Sequence, residues 1–169
     1  MPTDPEPWLQ PIGPIPCTRE QRQRFREGDL REEWAARYPA LFDEVDLRQA
    51  RNQVQFNFHE WLGAIVLLHT CGYESLQGGY TMSTHPRKRE VFRRLTADHG
   101  EFFERRDHPA QFPDLFVYSS VSGDWFLCEV KGPRDRLRPN QRELFARTYE
   151  RTGRQIRVLR FREVAPCRP

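Results

Sequence analysis

Apolar residues along this chain fall into two rhythms. From Leu115 to Tyr118, and again from Trp125 to Cys128, they run as near-continuous blocks of strand length, parted by Ser122-Gly123-Asp124. That pattern predicts two buried strands folded into a hairpin, opened by Pro113-Asp114 and closed by Glu129-Val130-Lys131-Gly132-Pro133. A helical spacing follows. Pro139 fits a first turn, Leu144, Phe145 and Tyr149 give an apolar stripe, and Gly153 marks the stop. Residues 155–161 read as a last strand. Strand, strand, helix, strand predicts a mixed sheet whose final strand is reached by a crossover.

Upstream, the rhythm is helical. Thr18 with Glu20 and Gln21 offers a helix start, and Phe25, Leu30, Trp34 and Tyr38 recur on a polar background. One or two amphipathic helices are expected there, with Gly28 a break and Pro39 the end; their aromatic residues are expected to pack rather than to stack on bases. Asp46 to Leu68 reads as a second helical region. Its segment from Trp61 to Leu68 is apolar all round, as in a helix buried within a domain. Gly72 to Leu76 suggests a helix stop and a short strand, and Gln77-Gly78-Gly79-Tyr80 a loop. Thr84 is placed as the cap of a further helix, with Pro86 in its first turn and Val91, Phe92, Leu95 and Phe102 facing inward. Arg105, Arg106 and His108 lead from it into a loop that ends at Pro109-Ala110-Gln111. Residues 1–16 hold six prolines and are expected as an extended arm laid on the domain through Trp8 and Leu9. The fold class is therefore α/β: a small mixed central sheet flanked by helices, with an N-terminal helical extension (1–45) before the main domain (46–169).

Length and composition narrow the class. A chain of 169 residues suits one domain with a modest extension. Charged residues make up 30% and mean hydropathy is −0.82. The net charge of +3 conceals an asymmetry: residues 131–169 carry twelve basic and four acidic side chains, whereas residues 1–60 carry eight and eleven. A basic stripe beside the hairpin fits a polyanion, since arginines that neutralise phosphates release counterions. Cys17, Cys71, Cys128 and Cys167 have neither C-x-x-C spacing nor a histidine cluster, which argues against structural zinc. Cys71 and Cys128 lie in apolar runs and are expected as buried thiols in a reducing cytosol. The longest apolar run is too short to span a bilayer and no signal peptide is visible, so a cytoplasmic, nucleoid-associated or phage-encoded protein is expected, with no membrane partner.

The hairpin carries the chemistry. Residues i and i+2 of a strand share a face, so Glu129 and Lys131 project together while Cys128 and Val130 project oppositely. Folding the hairpin brings Asp114 towards Glu129. Two converging carboxylates repel unless a cation lies between them, and hard oxygen donors select Mg²⁺ or Mn²⁺. The Val130 carbonyl is a further candidate ligand. Lys131 is placed to orient or help deprotonate an attacking water. Its identity has weight, because the chain holds 25 arginines and only two lysines, Lys88 and Lys131, and a lysine exchanges protons where an arginine does not. Arg134, Arg136 and Arg138 are the expected scissile-strand phosphate contacts. Arg87 and Lys88, on the basic face of the helix after Pro86, are expected either to track a phosphate backbone or to be a solvated face. His59 and His69 are given no role.

The whole pattern, Pro113-Asp114 with Glu129-Val130-Lys131-Gly132-Pro133, resembles the PD-(D/E)xK nuclease motif. Its continuation through Arg134-Asp135-Arg136-Leu137 to Gln141 resembles the VRR-NUC (virus-type replication-repair nuclease) domain over about residues 90–162. The resemblance implies a restriction-endonuclease-like fold, a divalent metal, and cleavage of branched or flapped DNA in repair, recombination or phage replication. By motif position it implies Asp114 and Glu129 as metal ligands, Lys131 as the catalytic lysine and Gln141 as the glutamine of the next helix. Nucleases of this fold also place a carboxylate on a helix before the sheet; Glu60 is the best-placed candidate, with Glu74 and Glu90 as rivals. One departure is visible: family members often carry a serine-like cap before the helix, and here Arg138 precedes Pro139. The resemblance further implies that stand-alone domains dimerise to cut junctions while those within longer proteins act on flaps, so a short single-domain chain points towards a homodimer. The alternatives are a catalytically inactive DNA-binding module on the same fold and a protein-binding inhibitor or toxin component.

Overall fold

The structure is a computed structural model, and residues 6–53, 57–81, 85–104 and 112–165 are described. Five strands form one sheet: β1 (Leu9–Thr18), β2 (Glu74–Gln77), β3 (Leu115–Tyr118), β4 (Trp125–Lys131) and β5 (Ile156–Val164). Their order is β1-β5-β4-β3-β2. β2, β3 and β4 pair antiparallel, whereas β4 with β5 and β5 with β1 pair parallel. The hairpin and the crossover expected from the apolar blocks are both present, and the crossover is α7 (Pro139–Thr152).

Each face of the sheet carries its own core, because side chains alternate along the strands. Leu115, Val117, Phe126, Cys128 and Val130 join one cluster; Phe116, Tyr118, Trp125 and Leu127 join the other. The first cluster is covered by α1 (Arg19–Glu27), α2 (Asp29–Arg37), α3 (Glu44–Asn52) and α4 (Phe58–Cys71). Phe25, Trp34, Phe42 and Trp61 are buried there, and the Phe42 and Trp61 rings stack with centroids 3.8 Å apart, so these aromatics pack within the protein. α4 rides close to the sheet at Gly63, where an added Cβ would meet Leu159 at 3.0 Å and Val130 at 3.5 Å. The second cluster is covered by α5 (Pro86–Leu95), α6 (Gly100–Glu104) and α7.

Local signals account for most helix ends. Thr18 accepts from the Gln21 amide while Gln21 reaches back to the Thr18 amide, a reciprocal cap that starts α1. Gly28 and Gly153 end α1 and α7 at φ 109° and 69°.

Four expectations need correction. The proline-rich arm is an edge strand: β1 pairs with β5 through eight Cα partners, while Trp8 and Leu9 pack on the second cluster as expected. Proline is tolerated because an edge strand has one side with no ladder to feed. The Asp46–Leu68 region is two helices, since the chain turns through Asn57 at φ 74°, a conformation asparagine accepts more readily than most residues. The helix after Pro86 stops at Leu95 and yields to a 3₁₀ turn, Ala97–His99, before α6. Cys71 is exposed at the last position of α4, while Cys17 and Cys128 are buried. Thr84, Arg105, Arg106, His108, Pro109-Ala110-Gln111 and Cys167 lie outside the described residues.

Candidate functional site

The antiparallel β3–β4 register sets Leu115 against Cys128, so the next step outward faces Asp114 with Glu129. Asp114 is held at both its main chain and its side chain. Its carbonyl accepts from the Gly78 amide at 3.0 Å, and its Oδ2 accepts from the Val130 amide at 2.8 Å. The buried Tyr80 hydroxyl donates to the Pro113 carbonyl at 2.6 Å, fixing the residue just before it.

Glu129 and Lys131 share the face that looks towards α7. The Lys131 ammonium lies 2.6 Å from Glu129 Oε1, and the Gln141 amide donates to the same oxygen at 2.7 Å. Gln141 Oε1 accepts from Lys131 at 3.3 Å and from the Arg138 amide at 3.1 Å. The Gln141 oxygen faces two donors and its nitrogen a carboxylate oxygen, which sets the orientation of the amide. Gln141, the third residue of α7, takes up the Arg138 amide, which is the reverse half of a capping box; Arg138 itself gives the helix no side-chain cap. Glu129 is 2% and Lys131 8% exposed, and Asp114, Glu60 and Gln141 are partly buried.

Charge bears on what the cluster can hold. Burial pushes the Asp114 carboxyl well above the usual carboxylate range, with further push from Glu129 and then Glu60; the Val130 amide and Lys131 pull the other way. Burial pushes Glu60 up to about 7, helped by Glu129 and opposed by Lys88. Glu60 of α4 and Asp114, just before β3, are therefore both set against the Glu129 carboxylate of β4. A hard divalent cation relieves that repulsion, and this all-oxygen donor set fits Mg²⁺ or Mn²⁺.

The surrounding residues divide. Arg134, Arg136 and Arg138 are exposed in the β4–α7 loop. That loop is closed by the Asp135 carboxylate, which accepts from the Gly132 amide at 2.9 Å. Lys88 is not a surface residue: it is 2% exposed, with its ammonium 2.6 Å from Asp46 and 2.6 Å from the Gln77 carbonyl. Arg87 is also engaged internally, donating to the Ala40 and Leu41 carbonyls at 2.8 and 3.1 Å and lying 3.3 Å from Asp43. Of the helix-face pair expected to meet phosphates, Lys88 is thus removed and Arg87 is largely spent. Glu74 accepts from the Tyr118 hydroxyl at 2.8 Å, and Glu90 is exposed; Glu60 is the acid that the electrostatics couple to Asp114 and Glu129.

A second group of ligand-type side chains escaped the sequence reading. Asp43, Asp46 and His85 bring their ligand atoms within 4.8 Å of one another. His85 Nε2 lies 2.9 Å from Asp43, and Lys88 and Arg87 close on Asp46 at 2.6 and 3.4 Å. The acids there already face cations from the protein. Tyr80 and Asp46 were likewise missed; the lone-lysine signal that singled out Lys131 would have led to Asp46 through Lys88.

Comparison with known proteins follows from this geometry. No curated protein matches the chain. Among solved structures, the chain is similar to a crystal structure of paFAN1 bound to DNA with a two-nucleotide 5′ flap and a gap. The identity is 21%, over 85% of this chain and 22% of that one, with a TM-score of 0.32. It is also similar to paFAN1 bound to a one-nucleotide 5′ flap with a gap, at 19% identity over 84% of this chain and 25% of that one, with a TM-score of 0.30. The chain spans about a quarter or less of the length of those chains. The model of the VRR-NUC domain family matches residues 65–162, more than half of the sequence and the whole of the Asp114–Gln141 constellation. With the motif, the sheet that carries it and that match in agreement, the chain belongs to the VRR-NUC domain family.

Proposed function

We propose that this chain is a divalent-metal-dependent, structure-specific endonuclease that hydrolyses phosphodiester bonds in branched DNA. The observation that carries the reading is the convergence of Asp114 and Glu60 on Glu129, whose charge raises the proton affinity of both, beside the Lys131 ammonium.

Asp114 and Glu129, with the Val130 carbonyl and Glu60, would hold Mg²⁺ or Mn²⁺. Such an ion, when bound, supplies an acidified water and stabilises charge on the phosphoryl oxygens. Lys131, 2.6 Å from Glu129, would orient the nucleophile and offset charge on the pentacoordinate transition state. Gln141 holds Lys131 and Glu129 in register and supplies a hydrogen bond for water or phosphate. Arg134, Arg136 and Arg138 position the strand through its phosphates, which fixes place without reading sequence. Branched DNA, and a place in repair, recombination or phage replication, follow the family resemblance. A homodimer, if formed, uses a face other than the β1 edge, because Pro11, Pro14 and Pro16 remove donors from that strand.

The test is one panel of labelled flaps, forks, four-way junctions, plain duplex and single strands, each with Mg²⁺ or Mn²⁺. Cleavage of branched substrates above duplex, lost with Asp114→Ala, supports the reading. Binding of DNA without cleavage of any substrate would leave the inactive DNA-binding module instead.

A further inference from the structure

Both lysines of this arginine-rich chain are buried, and each sits 2.6 Å from a buried carboxylate. Lys131 belongs to the site already described; Lys88 has so far no role in it. Its surroundings tie it to the same site from behind. The Lys88 ammonium donates to the Gln77 carbonyl at 2.6 Å, at the last residue of β2. The next residue, Gly78, donates its amide to the Asp114 carbonyl. Gln77 is held on its other side by its own amide, which reaches the Leu41 carbonyl at 3.3 Å. On α3, Asp46 anchors the ammonium. A short chain of contacts therefore runs from Asp46 through Lys88 and the Gln77–Gly78 corner to Asp114.

We propose that Lys88 is a positioning residue for the acidic site: its buried ammonium, clamped between Asp46 and the Gln77 carbonyl, fixes the corner that sets where Asp114 presents its carboxylate. The inference rests on the reading of Asp114, Glu129 and Glu60 as a metal site. Residue chemistry explains why lysine is kept here. A compact ammonium with three donors suits one carboxylate oxygen and one carbonyl in a closed space, whereas a guanidinium brings five donors on a rigid fork. The charge of Lys88 also reaches Glu60, where it opposes the repulsion from Glu129. Outer contacts of this kind commonly change metal affinity or activity by about 10–100-fold when removed.

The experiment compares wild type, Lys88→Met, Lys88→Arg and the double variant Asp46→Asn/Lys88→Met on a cleaved branched substrate. The readouts are kcat, KM, the Mn²⁺ concentration for half-maximal rate, and DNA affinity in Ca²⁺. Because Lys88→Met leaves the buried Asp46 without its nearest cation and is liable to unfold, the double variant removes both charges together. The double variant is expected to lower kcat and raise the half-saturating Mn²⁺ by about tenfold or more, with DNA affinity in Ca²⁺ unchanged. Lys88→Arg, which keeps the charge and loses the fit, is expected to fall with it. A double variant with wild-type kcat and wild-type Mn²⁺ dependence would overturn the proposal and leave Lys88 a plain structural ion pair. A change confined to DNA affinity and its salt dependence would overturn it too, by returning Lys88 to the DNA surface. If wild type itself fails to cut, the nuclease reading fails first, which keeps the two failures apart.

Discussion

Glu60 should be a stability cost that function retains, and Glu60→Gln measures it. Burial and the facing Glu129 push its carboxyl from an ordinary 4.5 up to about 7. The folded chain then holds this proton more tightly than the unfolded chain does. Between pH 4.5 and about 7 the native state carries the extra proton, so stability falls as pH rises through that window and the full penalty stands above it. Each tenfold of proton affinity is worth about 1.4 kcal/mol, which sets a ceiling of about 3 kcal/mol. Glu60 is only partly buried, and solvent screening brings the working figure to about 1–2 kcal/mol. For a chain of this size that is about 2–8 °C in Tm. Thermal unfolding followed by circular dichroism in EDTA should therefore show Glu60→Gln more stable than wild type at pH 8, with the gap closing towards pH 4.5. Added Mn²⁺ should narrow or reverse the gap, since an ion that binds only the folded state stabilises it by mass action. A variant equal to or less stable than wild type at pH 8 without metal would refute the claim that Glu60 faces Glu129 in a buried, repelling cluster.

Other outcomes follow from the same geometry. Asp114→Ala should abolish cleavage while leaving DNA affinity in Ca²⁺ within about twofold, because the proposed phosphate contacts are Arg134, Arg136 and Arg138 on the β4–α7 loop; filter binding beside a gel cleavage assay checks both. Replacing Arg134, Arg136 and Arg138 with Ala together should lower the slope of log affinity against log salt by up to about 3. Arg87→Ala should leave that slope unchanged, since its guanidinium is spent on Ala40, Leu41 and Asp43. Gly63→Val should cost about 1–3 kcal/mol in chemical denaturation, because a Cβ there already meets Leu159 at 3.0 Å.

The sequence was most legible where local signals and long-range structure agree. β3, β4, α7 and β5 are apolar blocks bounded by glycines and prolines, and the structure places them as read. Asp114, Glu129 and Lys131 fell together because strand alternation and one antiparallel register suffice to bring them together, whereas Gln141 was named by the family motif and α7 brings it to them. β1 was misread because its prolines speak locally for an arm, while its strand character comes from β5, far along the chain. Lys88 was misread because it stands in a run of consecutive basic residues, although Val91, Phe92 and Leu95 at i+3, i+4 and i+7 put it on the inward face of α5; what no local pattern reveals is its partner, Asp46 of another helix. The break before α4 is likewise marked by no glycine or proline but by Asn57 at φ 74°.

The most direct test is a crystal soaked in Mn²⁺ and measured for its anomalous signal. A metal peak between Asp114 and Glu129, about 2.1 Å from their oxygens, is the expected result. A protein that takes up no Mn²⁺ there, or takes it up only at Asp43, Asp46 and His85, would contradict the account.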